Sequence, residues 1–77
     1  MMKVKTNEKN NFKAMTKINQ MINKMEIGSV EWCNVGCLCD KSEILTYLEM
    51  AKNFGKWITA FDYRINKYGC LIVYIKK

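Results

Sequence analysis

The chain of 77 residues is long enough for one small domain, and its 13 lysines and arginines against 7 aspartates and glutamates give a net charge of +6. Its hydrophobic fraction of 49% and aromatic fraction of 12% exclude a disordered basic tail and predict a folded protein. No stretch approaches the about eighteen apolar residues of a membrane span, and residues 1–6 lack the apolar segment of a secretory signal. We therefore expect a cytoplasmic protein with no membrane partner.

The charge is divided into three blocks along the chain. Residues 1–25 carry a net charge of +5, residues 26–55 carry −3 and residues 56–77 carry +4. Basic ends predict a surface for an acidic partner, either nucleic acid or an acidic protein face. The abundance of Lys, Asn and Ile is typical of an AT-rich genome or a mobile element.

The first predicted element is a helix over residues 9–25, after a flexible basic N-terminus over residues 1–8 of the single domain 1–77. Apolar side chains recur at helical spacing and form one stripe, made of Phe12, Met15, Ile18, Ile22 and Met25. The opposite side of this helix is basic and polar, with Lys9, Lys13, Lys17, Gln20 and Lys24. Gly28 ends the helix.

A short strand is predicted next, over residues 29–33, because polar and apolar side chains alternate there. Val30 and Trp32 share one face of this strand. Residues 34–39 contain Gly36 and no clear period, which indicates a connection.

The second helix is predicted to begin at Asp40, an N-cap residue with Glu43 three positions later, as in a capping box. Its predicted buried stripe consists of Ile44, Tyr47, Leu48, Ala51 and Phe54. Gly55 occupies the position where a left-handed C-terminal cap is expected.

Two strands are predicted at the end of the chain, over residues 57–64 and 70–76, joined by a five-residue loop over residues 65–69. If Arg64 lies opposite Cys70, one face of the hairpin is strongly apolar. The other face is mixed, and its cross-strand pairs are Asp62 with Ile72, Ala60 with Tyr74, and Ile58 with Lys76.

The predicted fold is a small two-layer α+β domain in the order helix-strand-helix-strand-strand. Its three-stranded antiparallel sheet carries both helices on one face, which leaves the second face uncovered. Functional contacts are expected first on that uncovered face.

The four cysteines are interpreted as reduced thiols that pack as small hydrophobes. Cys33, Cys37 and Cys39 have the spacing C-x-x-x-C-x-C, Cys70 is remote, and the chain has no histidine. Structural zinc usually needs paired C-x-x-C ligands, so a zinc site is the less favoured alternative and no metal is expected.

Catalysis is not expected, since acid–base chemistry near neutral pH most often uses histidine. Among the carboxylates, Asp40 and Glu43 are assigned to capping, and Asp62 has Arg64 two residues along the same strand face. The isolated glycines form no phosphate-binding loop. The sequence thus predicts no enzyme, no cofactor and no small-molecule substrate.

The basic side chains of the first helix and of the hairpin are the predicted contacts to nucleic acid or an acidic partner, with tyrosine available for stacking. These predicted binding residues are Lys13, Lys17, Lys24, Arg64, Lys67, Tyr68 and Lys76. A solvated helix face and protective edge-strand lysines are the ordinary explanation of the same pattern.

Two functions follow for a non-enzymatic binding module. The first is an accessory or regulatory protein that contacts nucleic acid or a nucleic-acid-processing complex. The alternative is a small protein inhibitor or adaptor, of the kind that phages and plasmids encode against host machinery, whose contact or homodimer face consists of Ile58, Ala60, Ile72 and Tyr74. Helix and hairpin lysines on the same side favour nucleic acid, whereas lysines on opposite sides favour a protein partner on the open sheet.

Overall fold

A computed structural model of the chain describes residues 2–77, with side chains from Lys9 onwards. Helix α1 spans Met2–Lys24, strand β1 Val30–Gly36 and helix α2 Lys41–Met50, which continues into a π-helical turn over Ala51–Gly55. Strands β2, Ala60–Ile65, and β3, Leu71–Lys76, follow. All strands pair antiparallel in the order β1-β3-β2. The predicted α+β fold and its order of elements are confirmed.

The core lies between the helices and one face of the sheet. Its helical side chains include Ile18, Ile22, Ile44 and Leu48, and its strand side chains include Cys33, Val35, Leu71, Val73 and Ile75. Burial of the isoleucine, leucine and valine side chains among them contributes roughly 1.5–3 kcal/mol each. Phe12 belongs to the predicted buried stripe but is 71% exposed, because Asn11 and Ala14 occupy the buried side of that turn instead.

Helix α1 begins at Met2, earlier than the predicted residue 9. The flexibility of residues 1–8 stays a prediction, and Met1 lies outside the described residues. Near the other end of α1, the Lys77 Nζ donates hydrogen bonds to the carbonyl oxygens of Ile22 at 2.7 Å and Met25 at 3.1 Å. A cation at a helix C-terminus satisfies free carbonyls and complements the helix dipole.

Strand β1 extends three residues beyond its predicted end, to Gly36. The pairing with β3 shifts between Asn34 and Gly36, where Gly36 has a φ of 107° and donates its N–H to the Asn34 Oδ1 at 2.9 Å. This positive φ at an irregularity in the ladder is the conformation that glycine adopts at no steric cost.

The hairpin register differs from the predicted one by two residues. Arg64 pairs with Ile72 and not with Cys70, and the loop covers residues 66–70. Asn66 sets this loop, since its side-chain oxygen accepts hydrogen bonds from the N–H groups of Tyr68 at 2.9 Å and Cys70 at 3.0 Å. A shift of two leaves the side chains that remain in the ladder on their predicted faces, because the strand period is two. Ile58, predicted opposite Lys76, falls outside the ladder.

The Asp40 side chain caps the N-terminus of α2 as predicted, accepting from the N–H groups of Ser42 and Glu43. The return bond of the predicted capping box is not formed, because the Asp40 N–H donates to the Asn11 Oδ1 and not to Glu43. The C-terminus of α2 differs from the prediction. The π-helical turn makes Lys56, with φ 56°, the left-handed residue in place of Gly55. The wider turn also interrupts the helical period, so Phe54 is 80% exposed and not part of the buried stripe.

Candidate functional site

The face of the sheet turned away from the helices, here called the open face, is built from three cross-strand rows. Its members are Val30, Lys76 and Ala60, then Trp32, Tyr74 and Asp62, then Asn34, Ile72 and Arg64. Side chains that alternate along a strand share a face, so these rows lie side by side.

Trp32 and Tyr74 are the aromatic pair at the middle of the open face. They are directly opposite in the β1–β3 register, Trp32 is 63% exposed and Tyr74 is half-buried. Arg64 and Lys76 lie in the rows on either side of this pair. The arrangement offers flat apolar surface for stacking beside two cations, with Asp62 as the acidic member.

The helix lysines lie in the other layer from Arg64 and Lys76. Lys13 and Lys24 are exposed on α1, and Lys17 reaches the edge of the sheet, where its Nζ donates to the Asn34 carbonyl oxygen at 2.8 Å. In the hairpin loop the Lys67 Nζ lies 5.3 Å from the ring centroid of Tyr68, which is 74% exposed. The predicted cations are therefore distributed over several surfaces.

The predicted protein-partner face is smaller than expected. Ile58 lies before β2 and is buried in the core with 2% exposure, because the shifted register excludes it from the ladder. Ile72 is only 8% exposed, flanked by Asn34 and Arg64 in the neighbouring strands. Ala60 is exposed and Tyr74 half-buried on the open face as predicted.

Sequence reasoning missed Trp32 as a site residue. The alternation in β1 had already placed Val30 and Trp32 together, but two aromatic or branched side chains on a short strand are as typical of a core as of a surface. The pairing of Trp32 with Tyr74 across β1 and β3 resolves this, since Tyr74 belongs to the open face.

A second apolar surface lies at the end of α2, in the helix layer. A cavity of about 370 Å³ is lined there by Tyr47, Met50, Ala51, Phe54, Gly55 and Trp57. Phe54 and Trp57 are 80% and 53% exposed. Burial raises the pKa of the Tyr47 hydroxyl, while its hydrogen bond to Asn19 lowers it in part.

The cysteines form one pair and two single thiols. Cys37 and Cys70 are joined as a disulfide just beyond the end of the β1–β3 ladder, so the prediction of four reduced thiols is wrong for this pair. Burial raises the pKa of the Cys33 and Cys39 thiols above the usual 9.0, partly offset by the charges of Lys17 and Lys41 respectively. Among residues 9–77, no three or more His, Cys, Asp or Glu side chains are grouped as metal ligands would be.

Comparison of the chain with protein-family models, with curated proteins and with solved structures found no match. Within the described part of the chain, no helix combines the length and the apolar character needed to cross a bilayer.

Proposed function

We propose that this protein is a non-enzymatic binding module that contacts single-stranded nucleic acid through the open face. The observation that supports the proposal is the exposed Trp32 beside Tyr74, with Arg64 and Lys76 in the adjacent rows. Bases of any sequence stack on aromatic rings, and cations alongside contact the phosphates. The net charge of +6 favours the encounter with a polyanion.

Of the basic residues predicted from the sequence to bind nucleic acid, only those on the open face are assigned a contact in this proposal. Arg64 and Lys76 are the two phosphate contacts, whereas the Lys17 Nζ is bonded to the Asn34 carbonyl oxygen at the β1 edge and is assigned none. Lys13 and Lys24 lie on the exposed side of α1 in the other layer and are assigned no contact. Single-stranded nucleic acid is favoured over duplex because stacking requires unpaired bases.

A fluorescence experiment tests the stacking directly. The chain has two tryptophans, so Trp57→Phe leaves Trp32 as the single reporter and Trp32→Phe leaves Trp57. We expect a mixed-sequence strand of about 20 nucleotides, longer than one sheet's binding site, to quench Trp32 and to leave Trp57 unchanged. Equal quenching of both, or of neither, would reject the open face as the site.

Binding curves at several salt concentrations test the cations. Two phosphate contacts on a single strand predict a slope of log K against log salt of about −1.4, and Arg64→Ala or Lys76→Ala should reduce its magnitude by about 0.7. Lys24→Ala is the matched control and should leave the slope unchanged. If Lys24→Ala reduces the salt slope and Arg64→Ala does not, the binding site lies on α1 and not on the open face.

The alternative function is contact with a protein partner as an inhibitor or adaptor. The exposure of Phe54 and Trp57 around the cavity at the end of α2 favours this surface over the predicted one, of which Ile58 and Ile72 are buried. In a pull-down with nuclease treatment, the original protein should retain a protein partner. The Phe54→Ser variant should lose this partner, whereas the Trp32→Ala variant should retain it. Loss of all partners on nuclease treatment would instead support nucleic acid.

A further inference from the structure

We propose that two copies of this chain associate through their β2 strands and form a continuous six-stranded sheet. The proposal concerns the free edge of β2 and does not depend on nucleic-acid binding. It rests on which backbone groups are free, on what lies over them, and on the side chains that self-pairing would bring together.

The backbone of β2 directs N–H and C=O groups along its outer edge, away from β3. The Asn66 N–H donates to the Cys70 carbonyl oxygen at 3.0 Å in continuation of the β2–β3 register, so the even-numbered residues within Ala60–Ile65 direct their amides toward β3. Just before the strand, the Thr59 N–H also donates to β3, to the Lys76 carbonyl oxygen at 2.9 Å. Successive amides of a strand point to opposite sides, so Phe61, Tyr63 and Ile65 direct theirs outward. The Tyr63 N–H agrees with this, since it donates to the Asp62 Oδ1 at 2.7 Å and not to β3.

The helix layer leaves this edge uncovered. Between α2 and β2 lies an open groove of about 360 Å³, lined by Leu45, Thr46, Glu49, Lys52, Phe61, Asp62 and Tyr63. Tyr63 and Ile65 are 47% and 52% exposed. An exposed edge strand with such side chains is a template for pairing with another strand.

The opposite edge of the sheet is occupied in part. In β1, the Lys17 Nζ donates to the Asn34 carbonyl oxygen at 2.8 Å, and the ladder is irregular between Asn34 and Gly36. A lysine and an irregularity are both means by which edge strands avoid further pairing. At the β2 edge, by contrast, the only such contact described is the one from the Tyr63 amide to the Asp62 carboxylate. The β2 edge is therefore the better edge for association.

Backbone geometry and charge together select one register for a symmetric antiparallel pair. Because only odd-numbered residues face outward, an odd residue must lie opposite an odd residue. Centring the pair on Tyr63 places Asp62 opposite Arg64 of the second copy twice, and Phe61 opposite Ile65 twice. The neighbouring allowed registers place Asp62 opposite Asp62 or Arg64 opposite Arg64, and like charges directly opposite are destabilising.

The proposal therefore commits to a second copy of this chain as the occupant of the β2 edge. The same self-complementarity gives the twofold symmetry that isologous dimers have. Both open faces then lie on one side of the joined sheet, and the Asp62 carboxylate exchanges the Tyr63 amide for Arg64 of the second copy.

Sedimentation on nuclease-treated protein tests the association, over about 1 µM to 1 mM, the range of a modest interface. We expect a concentration-dependent monomer–dimer equilibrium. Asp62→Arg and Arg64→Asp should each weaken it at least about tenfold, since each creates two like-charge pairs. The double variant D62R/R64D restores opposite charges and should return the dissociation constant to within about threefold of the original.

The matched control is Glu31→Arg, a carboxylate-to-arginine change on the other edge strand, which should leave the equilibrium unchanged. Amide exchange adds a position-specific measurement, because Phe61, Tyr63 and Ile65 should gain protection as the concentration rises. A protein that stays monomeric up to 1 mM would overturn the proposal. A dimer that is weakened by Trp32→Ala, or that the double variant fails to restore, would place the interface elsewhere.

Discussion

The side chain of Asn11 connects α1 to the N-terminus of α2, because its Oδ1 accepts a hydrogen bond from the backbone N–H of Asp40 at 2.7 Å. Its Nδ2 donates to the Glu43 Oε1 at 3.1 Å. In a capping box the residue at the Glu43 position would contact the Asp40 N–H itself. Here Asn11, only 5% exposed, is inserted between the two and ties the helices together.

Removal of the Asn11 amide should therefore destabilise the fold. We expect Asn11→Ala to lower the free energy of unfolding by about 1–3 kcal/mol, because the Asp40 amide loses its partner in a partly buried position. Urea denaturation measures this change. Asn23→Ala, on the exposed side of α1, is the control and should change stability by less than about 0.5 kcal/mol.

Asn11→Asp gives a related prediction that depends on pH. The new carboxylate lies against Glu43, and two ionised carboxylates this close repel each other in the folded state. Protonation of either one removes the repulsion, so its cost to stability is present at neutral pH and falls as the pH is lowered. The variant should thus be more destabilised, relative to the original protein, at pH 7 than at about pH 4.

The packing of Trp57 on Gly55 predicts that the effect of Gly55→Ala on stability changes sign when the Trp57 side chain is removed. A Cβ on Gly55 would lie 2.9 Å from the Trp57 Cε2, so Gly55→Ala should destabilise the protein by about 1 kcal/mol. In a Trp57→Ala background the same change should stabilise it by about 0.5–1 kcal/mol, since alanine restricts the unfolded chain. Denaturation of the four proteins completes the cycle, and a destabilising effect in both backgrounds would exclude Trp57 as the cause.

The left-handed conformation of Lys56 predicts a stabilising substitution. A side chain at φ 56° is strained relative to glycine, so Lys56→Gly should raise the free energy of unfolding by about 0.5–1 kcal/mol. Thermal denaturation measures the shift. Lys52→Gly, inside the π-helical turn, should instead lower the free energy of unfolding, because glycine weakens helical segments.

The fold could be predicted from the sequence wherever the signal was local. The Asp40 cap, the Ile44 and Leu48 stripe, and the face of each residue paired in the β2–β3 ladder follow from short spacings. The hairpin register and the end of α2 depend on features with no such period. They are the two N–H bonds to Asn66 and the π-helical turn that places Phe54 in solvent.

The candidate site was predicted only in part. Arg64, Lys76 and Tyr74 do share the open face, but the helix lysines lie in the other layer. Charge counts along a chain carry no information on which layer a lysine joins. Assigning Trp32 to the open face depends on the pairing of β1 with β3. This is a contact between residues about forty positions apart, which local sequence patterns cannot supply.

The thiols of Cys33 and Cys39 should make stability fall at alkaline pH. Burial raises both folded-state pKa values above 9.0, so the neutral thiols stabilise the fold below pH 9 and this contribution is lost as the pH rises through the folded values. Alkylation by iodoacetamide should likewise be slow in the folded protein at pH 8. Urea denaturation at pH 7 and pH 10 of a variant lacking Cys37 and Cys70 checks the direction; equal stability at both would contradict it.

The Cys37–Cys70 disulfide spans 33 residues and closes a loop that contains α2 and β2. Loop-closure entropy predicts that Cys37→Ser with Cys70→Ser lowers the free energy of unfolding of the oxidised protein by about 3–4 kcal/mol. Dithiothreitol should have the same effect on the original protein and none on the double variant, which serves as the control. If the original protein retains its full stability in dithiothreitol, a cross-link between these residues does not constrain the unfolded chain.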